Sequence, residues 1–203
     1  SVFVSEDGRS VDGAQILGAL ALDLKDRDRL ARRTMVTTVM SNLGLEQSMM
    51  RAGIKLVRTA VGDRYILERM FSEDYNFGGE QSGHIIFLDH NTTGDGLISA
   101  LQVMAMIRRS GKALSQLAQR IALYPQLLVN VRVRERKDLA AIAPFQQALR
   151  THEASLNGTG RILVRYSGTE PLVRIMVEAQ DSGTVQEIAH HLADVLRTEV
   201  GEA

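Results

Sequence analysis

From Thr34 to Ser110 the chain alternates between apolar, β-branched runs and runs with helical spacing, and this alternation constrains the fold more than any other feature. "TMVTTVMS" reads as a buried strand, "NLGLEQSMMRAG" as a short helix ended by Gly53, "IKLVRT" as a strand and "GDRYILERMFSE" as a helix. "HIIFLD" is another strand, followed by the helix "TTGDGLISALQVMAMIRRSG", which Thr93 or Asp95 can cap and Gly111 can close. Leu97, Ile98, Leu101, Met104 and Ala105 recur at helical spacing on that helix, and core packing is the expected use of the face they share. Upstream, "SVFVSEDGRSVDG" opens in a short apolar strand, turns at Asp7-Gly8 and reaches Asp12, a candidate N-cap for "GAQILGALALDLKDRD". Strands separated by helices imply an α/β domain with a mixed or mostly parallel sheet.

The texture changes after Tyr124-Pro125. Leu128, Asn130, Arg132 and Arg134 alternate with Val129, Val131 and Val133, the pattern of a half-buried strand. A helix is expected near residues 144–154, then the turn "LNGTG", then the strands "RILVRYS" and "PLVRIMVEA". The last helix carries Val185, Ile188, Leu192, Val195 and Leu196 on one stripe. This β-α-β-β-α order predicts a separate, smaller α+β domain. The expected division is an α/β domain over 1–118 and an α+β domain over 119–203, with a linker at about 117–126.

Composition removes several classes of function. Lys plus Arg and Asp plus Glu are equal at 24 each, so no bulk field draws the chain to nucleic acid or an anionic membrane, and any anion site must be local. Exposed rings for RNA stacking are scarce at 4% aromatics. No apolar run approaches the roughly 18 residues of a membrane span, and the N-terminus lacks the regions of a signal peptide. The absence of cysteine excludes disulfides and thiolate metal sites and fits a reducing compartment. A soluble, cytoplasmic protein is the expectation.

Three loops carry the chemistry. In "RYSGTEP", Arg165 ends one strand and Arg174 sits on the next, on the face away from Val173 and Ile175. Between them Ser167 and Thr169 offer hydroxyls, and Gly168 lets backbone N–H groups approach an anion. Arginine gives bidentate bonds to phosphate, worth about 1.5–3 kcal/mol for each hydrogen bond to a charged group. The competing reading is a polar hairpin whose arginines pair with Glu170 and Glu178. In "FGGEQSGH", Glu80, Gln81, Ser82 and His84 offer donors and acceptors suited to sugar hydroxyls, or else form a solvated turn; His84 is also a candidate proton shuttle. In "RTAVGDRYI", Gly62, Asp63 and Arg64 stand where a helix start could meet a negative group, although Asp63 could be a cap and Arg64 a solvated charge. His190-His191 is read as a solvated face, and no cluster has the spacing of a metal site.

Taken together, "VGDRY", "GGEQSGH" and "RYSGTEP" resemble the α-D-phosphohexomutase family, and "GEQSGH" most resembles its bacterial phosphoglucosamine mutase branch. The resemblance extends through "VDGAQIL", "TTGDGLISALQVM" and "QLLVNVRV" and covers essentially the whole chain. It implies the third and fourth of four domains arranged around one cleft. It implies that Glu80 and Ser82 bind sugar hydroxyls with His84 near the reacting groups, and that Gly62, Asp63 and Arg64 line the cleft. Arg165, Ser167, Gly168, Thr169 and Arg174 would hold the phosphate that is not being transferred. The implied reaction interconverts glucosamine 6-phosphate and glucosamine 1-phosphate through a bisphosphorylated sugar, with Mg2+ as cofactor and the glucose or glucosamine bisphosphate as activator. That places it among the isomerases serving carbohydrate metabolism and peptidoglycan precursors.

The sequence also departs from the family. The phosphoserine loop and the "DGDGDR"-type magnesium loop have no counterpart here, and "TGDG" at 93–96 is better read as a helix cap. The expectation is a chain cut from a longer protein, without its N-terminal domains and inactive alone. The rival expectations are the same portion of a phosphomannomutase or phosphoglucomutase, and a phosphosugar-binding module without chemistry.

Overall fold

The computed structural model describes every residue except Thr169, Glu202 and Ala203. It divides into two compact units, Ser1–Leu123 and Tyr124–Ala203. Ile121 belongs to the first core, which carries the first unit past residue 118. Among the described residues, no helix is long and apolar enough to cross a membrane.

The first unit opens with a hairpin, β1 (Phe3–Val4) and β2 (Ser10–Val11), turned at Gly8 with φ 78°. Helix α1 (Gly13–Asp26) starts where the Asp12 carboxylate accepts from the Ala14 N–H at 2.8 Å. Its residues 16–22 are all buried, so this helix lies inside the unit. Next come β3 (Thr34–Thr38), α2 (Leu43–Arg51), β4 (Lys55–Thr59) and α3 (Asp63–Ser72). The unit closes with β5 (Phe77–Gly79), β6 (Ile85–Phe87), α4 (Gly96–Ser110) and α5 (Leu114–Ala118).

The sheet order is β4-β3-β5-β6, with β3 parallel to both neighbours and β6 antiparallel to β5. Strand alternation divides the core. Met35, Phe77, Ile85 and Phe87 pack with residues of α1, α2 and α4, whereas Val36 and Ile86 pack with Ile66 and Met70 of α3. The result is a three-layered α/β/α unit.

Two readings of this unit need correction. "FGG" is itself a strand, so "FGGEQSGH" is a β-hairpin and not a loop leading into one strand. Glycine's low strand propensity hides it. The pair is required because a Cβ at Gly78 would lie 2.7 Å from the Val36 carbonyl oxygen, and one at Gly79 2.5 Å from that of His84. Second, α4 does not turn the expected face inward. Leu97, Leu101 and Met104 are 72, 52 and 55% exposed, while Ser99, Val103 and Met106 are buried. Both stripes have helical spacing, and periodicity alone cannot choose between them.

The second unit contains β7 (Gln126–Arg132), α6 (Ala143–Leu156), β8 (Gly160–Tyr166), β9 (Leu172–Ala179) and α7 (Ser182–Val200). The sheet is antiparallel in the order β7-β9-β8. Val131, Val173, Ile175 and Val177 face a core completed by Phe145 of α6 and Val185, Ile188, Leu192 and Leu196 of α7. The alternate strand residues are left on the face opposite the helices.

Candidate functional site: the Glu80 hairpin and a two-arginine turn

In the first unit the parallel strands β3, β4 and β5 run out at Thr38, Thr59 and Gly79. The carboxyl edge of such a sheet is where ligands of open α/β folds collect. Beyond Gly79 the hairpin closes tightly: Glu80 N–H donates to the His84 carbonyl at 2.8 Å and Gly83 N–H to that of Glu80 at 3.0 Å. Gly83 has φ 93°, open to a residue without Cβ.

The Glu80 carboxylate ties two of the three sequence motifs together. One oxygen accepts from the Gly62 N–H at 3.0 Å and the other from the Ser82 hydroxyl at 3.3 Å. Gly62, with φ 130°, precedes the first turn of α3. Glu80 and Ser82 share a hollow of about 190 Å³ with Thr38, Met40, Val61 and Gln81. The other predicted residues lie outside it. His84 is exposed at the far side of the turn. Asp63 accepts from the Arg64 N–H at 2.8 Å instead of capping α3, where Gly62 is the capping residue. Arg64 pairs with Glu68 at 2.7 Å, and that hydrogen bond and charge push its pKa up.

Sequence reasoning missed Gly13 here. A Cβ at Gly13 would lie 2.0 Å from the Gln81 carbonyl oxygen, so the start of α1 packs directly under the hairpin. The string "VDGAQIL" contained the residue but not its contact.

In the second unit, register sets the site. Arg174 of β9 lies directly opposite Arg165 on β8 and Asn130 on β7, so the three form one row across the face opposite the helices. Arg132, two residues along β7, extends this basic surface. Ser167 and Gly168 open the turn between β8 and β9, and Thr169 lies outside the described residues. Ser167 is buried; its N–H donates to the Leu172 carbonyl at 2.8 Å, and its hydroxyl accepts from the Glu170 N–H at 3.4 Å.

The competing hairpin reading requires both arginines to pair with Glu170 and Glu178. Glu178 is fully buried and pairs with Arg161, while Gln126 donates to it at 2.8 Å; Arg165 and Arg174 take no part. Arg174 does donate to Glu170, at 3.2 Å, through one terminal nitrogen. Its Nε is buried without a hydrogen-bond partner among the described residues. Nor does any described residue offer the Arg165 guanidinium a hydrogen bond or ion pair. A buried, unpaired guanidinium N–H is costly, and an oxygen-rich anion would remove that cost.

Arg136 was also missed. Its guanidinium donates to the Ser167 carbonyl at 2.6 Å and to that of Glu170 at 3.5 Å, and lies 5.5 Å from the centre of the Tyr166 ring. The Tyr166 hydroxyl in turn donates to the Lys137 carbonyl at 2.7 Å. The turn is thus clasped by segment 136–137, a connection of about thirty residues in sequence that no local pattern could reveal.

His191 approaches His152, with 2.7 Å between ring nitrogens, while His190 remains exposed. Among the described residues, no group of three or more His, Asp or Glu side chains is placed to hold a metal ion. The Asp95 carboxylate in "TGDG" is spent on the N–H groups of Leu97 and Ile98, at 2.8 and 2.9 Å.

Residues 12–124 match the α/β/α domain III of phosphoglucomutase/phosphomannomutase, and residues 128–195 match the C-terminal domain of the same proteins. The chain belongs to the phosphoglucomutase/phosphomannomutase family. Its relatives within the family include phosphoglucosamine mutases of Geobacter metallireducens, 52% identical, and Geobacillus kaustophilus, 51% identical. Each comparison covers 98% of this chain and 44% of the relative, so the chain spans less than half the length of those relatives. The fold recurs in Aspergillus fumigatus N-acetylphosphoglucosamine mutase in complex with GlcNAc-6P and magnesium. The TM-score is 0.77 at 19% identity, over 97% of this chain and 46% of that one. A phosphoglucomutase/phosphomannomutase family protein of Burkholderia thailandensis gives 0.73 at 18% identity, over 97% and 44%.

Proposed function

We propose that this chain supplies the sugar- and phosphate-binding part of a phosphoglucosamine mutase, an isomerase that interconverts glucosamine 6-phosphate and glucosamine 1-phosphate through a bisphosphorylated sugar. In this reading the first unit is the enzyme's third domain and the second its fourth. Glu80 and Ser82 bind sugar hydroxyls, His84 stands ready for proton transfer, and Gly62, Asp63 and Arg64 border the site. Arg165, Ser167, Gly168, Thr169 and Arg174 hold the phosphate that stays in place. The observation that carries the reading is the row of Arg165 and Arg174, with the Nε of Arg174 buried and without a partner among the described residues.

The physical logic follows from the reaction. One phosphate must be clamped while the other end of the sugar reacts, and the sugar must then be held the other way round. A guanidinium pair recognises phosphate at either end, and hydroxyl contacts tolerate both orientations. Catalysis from these residues is positioning and electrostatics. In this reading the phosphoserine and the magnesium ligands are supplied by other domains of the enzyme, as the family resemblance implies. Binding without turnover is therefore expected of this chain by itself. A cytoplasmic setting on the route to cell-wall amino sugars, with the sugar bisphosphate as activator, completes the proposal.

The test is a titration with glucosamine 6-phosphate followed by backbone amide NMR, with glucosamine as control. Phosphate-dependent shifts at Ser167, Gly168 and Arg174 are expected. Equal responses to both ligands, or shifts confined to other surfaces, would contradict the proposal.

A further inference from the structure

Glu170 is the acidic group nearest the two-arginine row, and it lies on the turn proposed to receive phosphate. Its carboxylate accepts one hydrogen bond from the Arg174 terminal nitrogen at 3.2 Å. Its side chain is 54% exposed, whereas the Arg174 side chain is 30% exposed. The carboxylate is thus the more solvent-exposed partner of the pair.

The backbone beneath it is held independently. The Glu170 carbonyl accepts from the Leu172 N–H at 2.8 Å and from Arg136, and its N–H donates to the Ser167 hydroxyl. Arg136 also holds the Ser167 carbonyl at 2.6 Å. Rotation of the Glu170 side chain into water would break its contact with Arg174 and none of these. One flexible acid thus rests on an otherwise fixed anion site.

We infer that Glu170 is a specificity-determining residue: a built-in carboxylate that competes for Arg174 and is displaced by a phosphate dianion. This inference rests on the phosphate reading of the turn. A dianion with three oxygens can reach the buried Nε of Arg174 together with Arg165, which the single Glu170 contact leaves unused. A monovalent carboxylate brings two oxygens and one charge against the three oxygens and two charges of a phosphate, so it competes less well with Glu170 for the arginines. The resident acid therefore excludes weak anions at a modest cost to phosphate affinity.

Inorganic phosphate and acetate are the probes, titrated separately and followed by NMR and calorimetry on the native chain, Glu170→Gln, Arg174→Met and the double variant. Glu170→Gln is expected to bind phosphate more tightly, by about two- to fivefold, the worth of one exposed ion pair. It is also expected to bind acetate measurably, reducing the preference for phosphate. Damage to the turn cannot mimic a gain in affinity. In the Arg174→Met background the gain should vanish. A gain of the same size there would show a general charge effect and overturn the inference, as would unchanged or weaker phosphate binding by Glu170→Gln. No phosphate response in any of the four proteins would overturn the phosphate reading itself, and the inference with it.

Discussion

The hairpin of the first unit and the turn of the second are both polar loops between strands, yet they are satisfied in opposite ways. Around Glu80 the polar groups consume one another: the carboxylate takes the Gly62 N–H and the Ser82 hydroxyl, and the backbone closes through Glu80 and His84. Around Arg174 the Ser167 and Glu170 backbone groups are hydrogen-bonded, while the Nε of Arg174 has no partner among the described residues. An uncharged hydroxyl can join a hydrogen-bonded carboxylate without great desolvation, because the carboxylate retains lone pairs. A phosphate instead gains most from donors left unsatisfied, such as the Arg174 Nε–H. Each loop thus matches the ligand group proposed for it: hydroxyls at the Glu80 hairpin, phosphate at the arginine row.

The largest effect that could break this comparison is expected at Arg174. Arg174→Met should weaken binding of glucosamine 6-phosphate by about 10- to 100-fold, the loss of hydrogen bonds to a charged group. Binding isotherms check this, and unaltered affinity would remove the turn from the site. A smaller effect is expected beneath the hairpin. Gly13→Ala places a Cβ against the Gln81 carbonyl and should destabilise the first unit by about 1–3 kcal/mol, as overpacking does. Urea unfolding measures that loss, and amide shifts should spread through 80–84 while Ser167 and Arg174 still respond to phosphate.

Glu80→Ala should cost about 1–2 kcal/mol of stability by releasing the Gly62 N–H and Ser82 hydroxyl. The ligand response should then lose its sugar-dependent part and keep its phosphate-dependent part. Loss of both parts of the response would contradict the separate roles proposed for the two loops.

The smallest effect concerns pH. Burial, then the neighbouring His191, pushes the His152 imidazole below its ordinary 6.5, opposed by Glu187. The unfolded chain therefore binds a proton that the folded chain resists as pH falls through about 6.5, and folded stability declines in that window. Above it both states are neutral and this contribution is flat. His152→Gln should flatten the slope of stability between pH 7 and 5, read from urea midpoints, and an unchanged slope would contradict it.

Legibility differed along the same line. The second unit's β-α-β-β-α order and the outward direction of Arg174 followed from alternation, because Val173 and Ile175 had to face the core. The row with Arg165 was only a neighbourhood in sequence, since register is fixed by pairing. In the first unit, β5 was hidden because Phe77–Gly79 is mostly glycine, whose role is close approach to Val36 and His84. The inward face of α4 was misread because two apolar stripes fit one helix, leaving Leu97, Leu101 and Met104 exposed. Arg136 and Gly13 act across long separations and leave no local pattern.

The most direct measurement is the Nε–H resonance of Arg174, assigned by Arg174→Lys and followed during titration with glucosamine 6-phosphate. A new hydrogen bond at this buried donor should move the resonance downfield and slow its exchange with water, with the Arg165 resonance shifting in parallel. If the amides of the turn saturate while the Arg174 Nε–H stays where it was, the guanidinium pair does not hold the phosphate and the central claim fails.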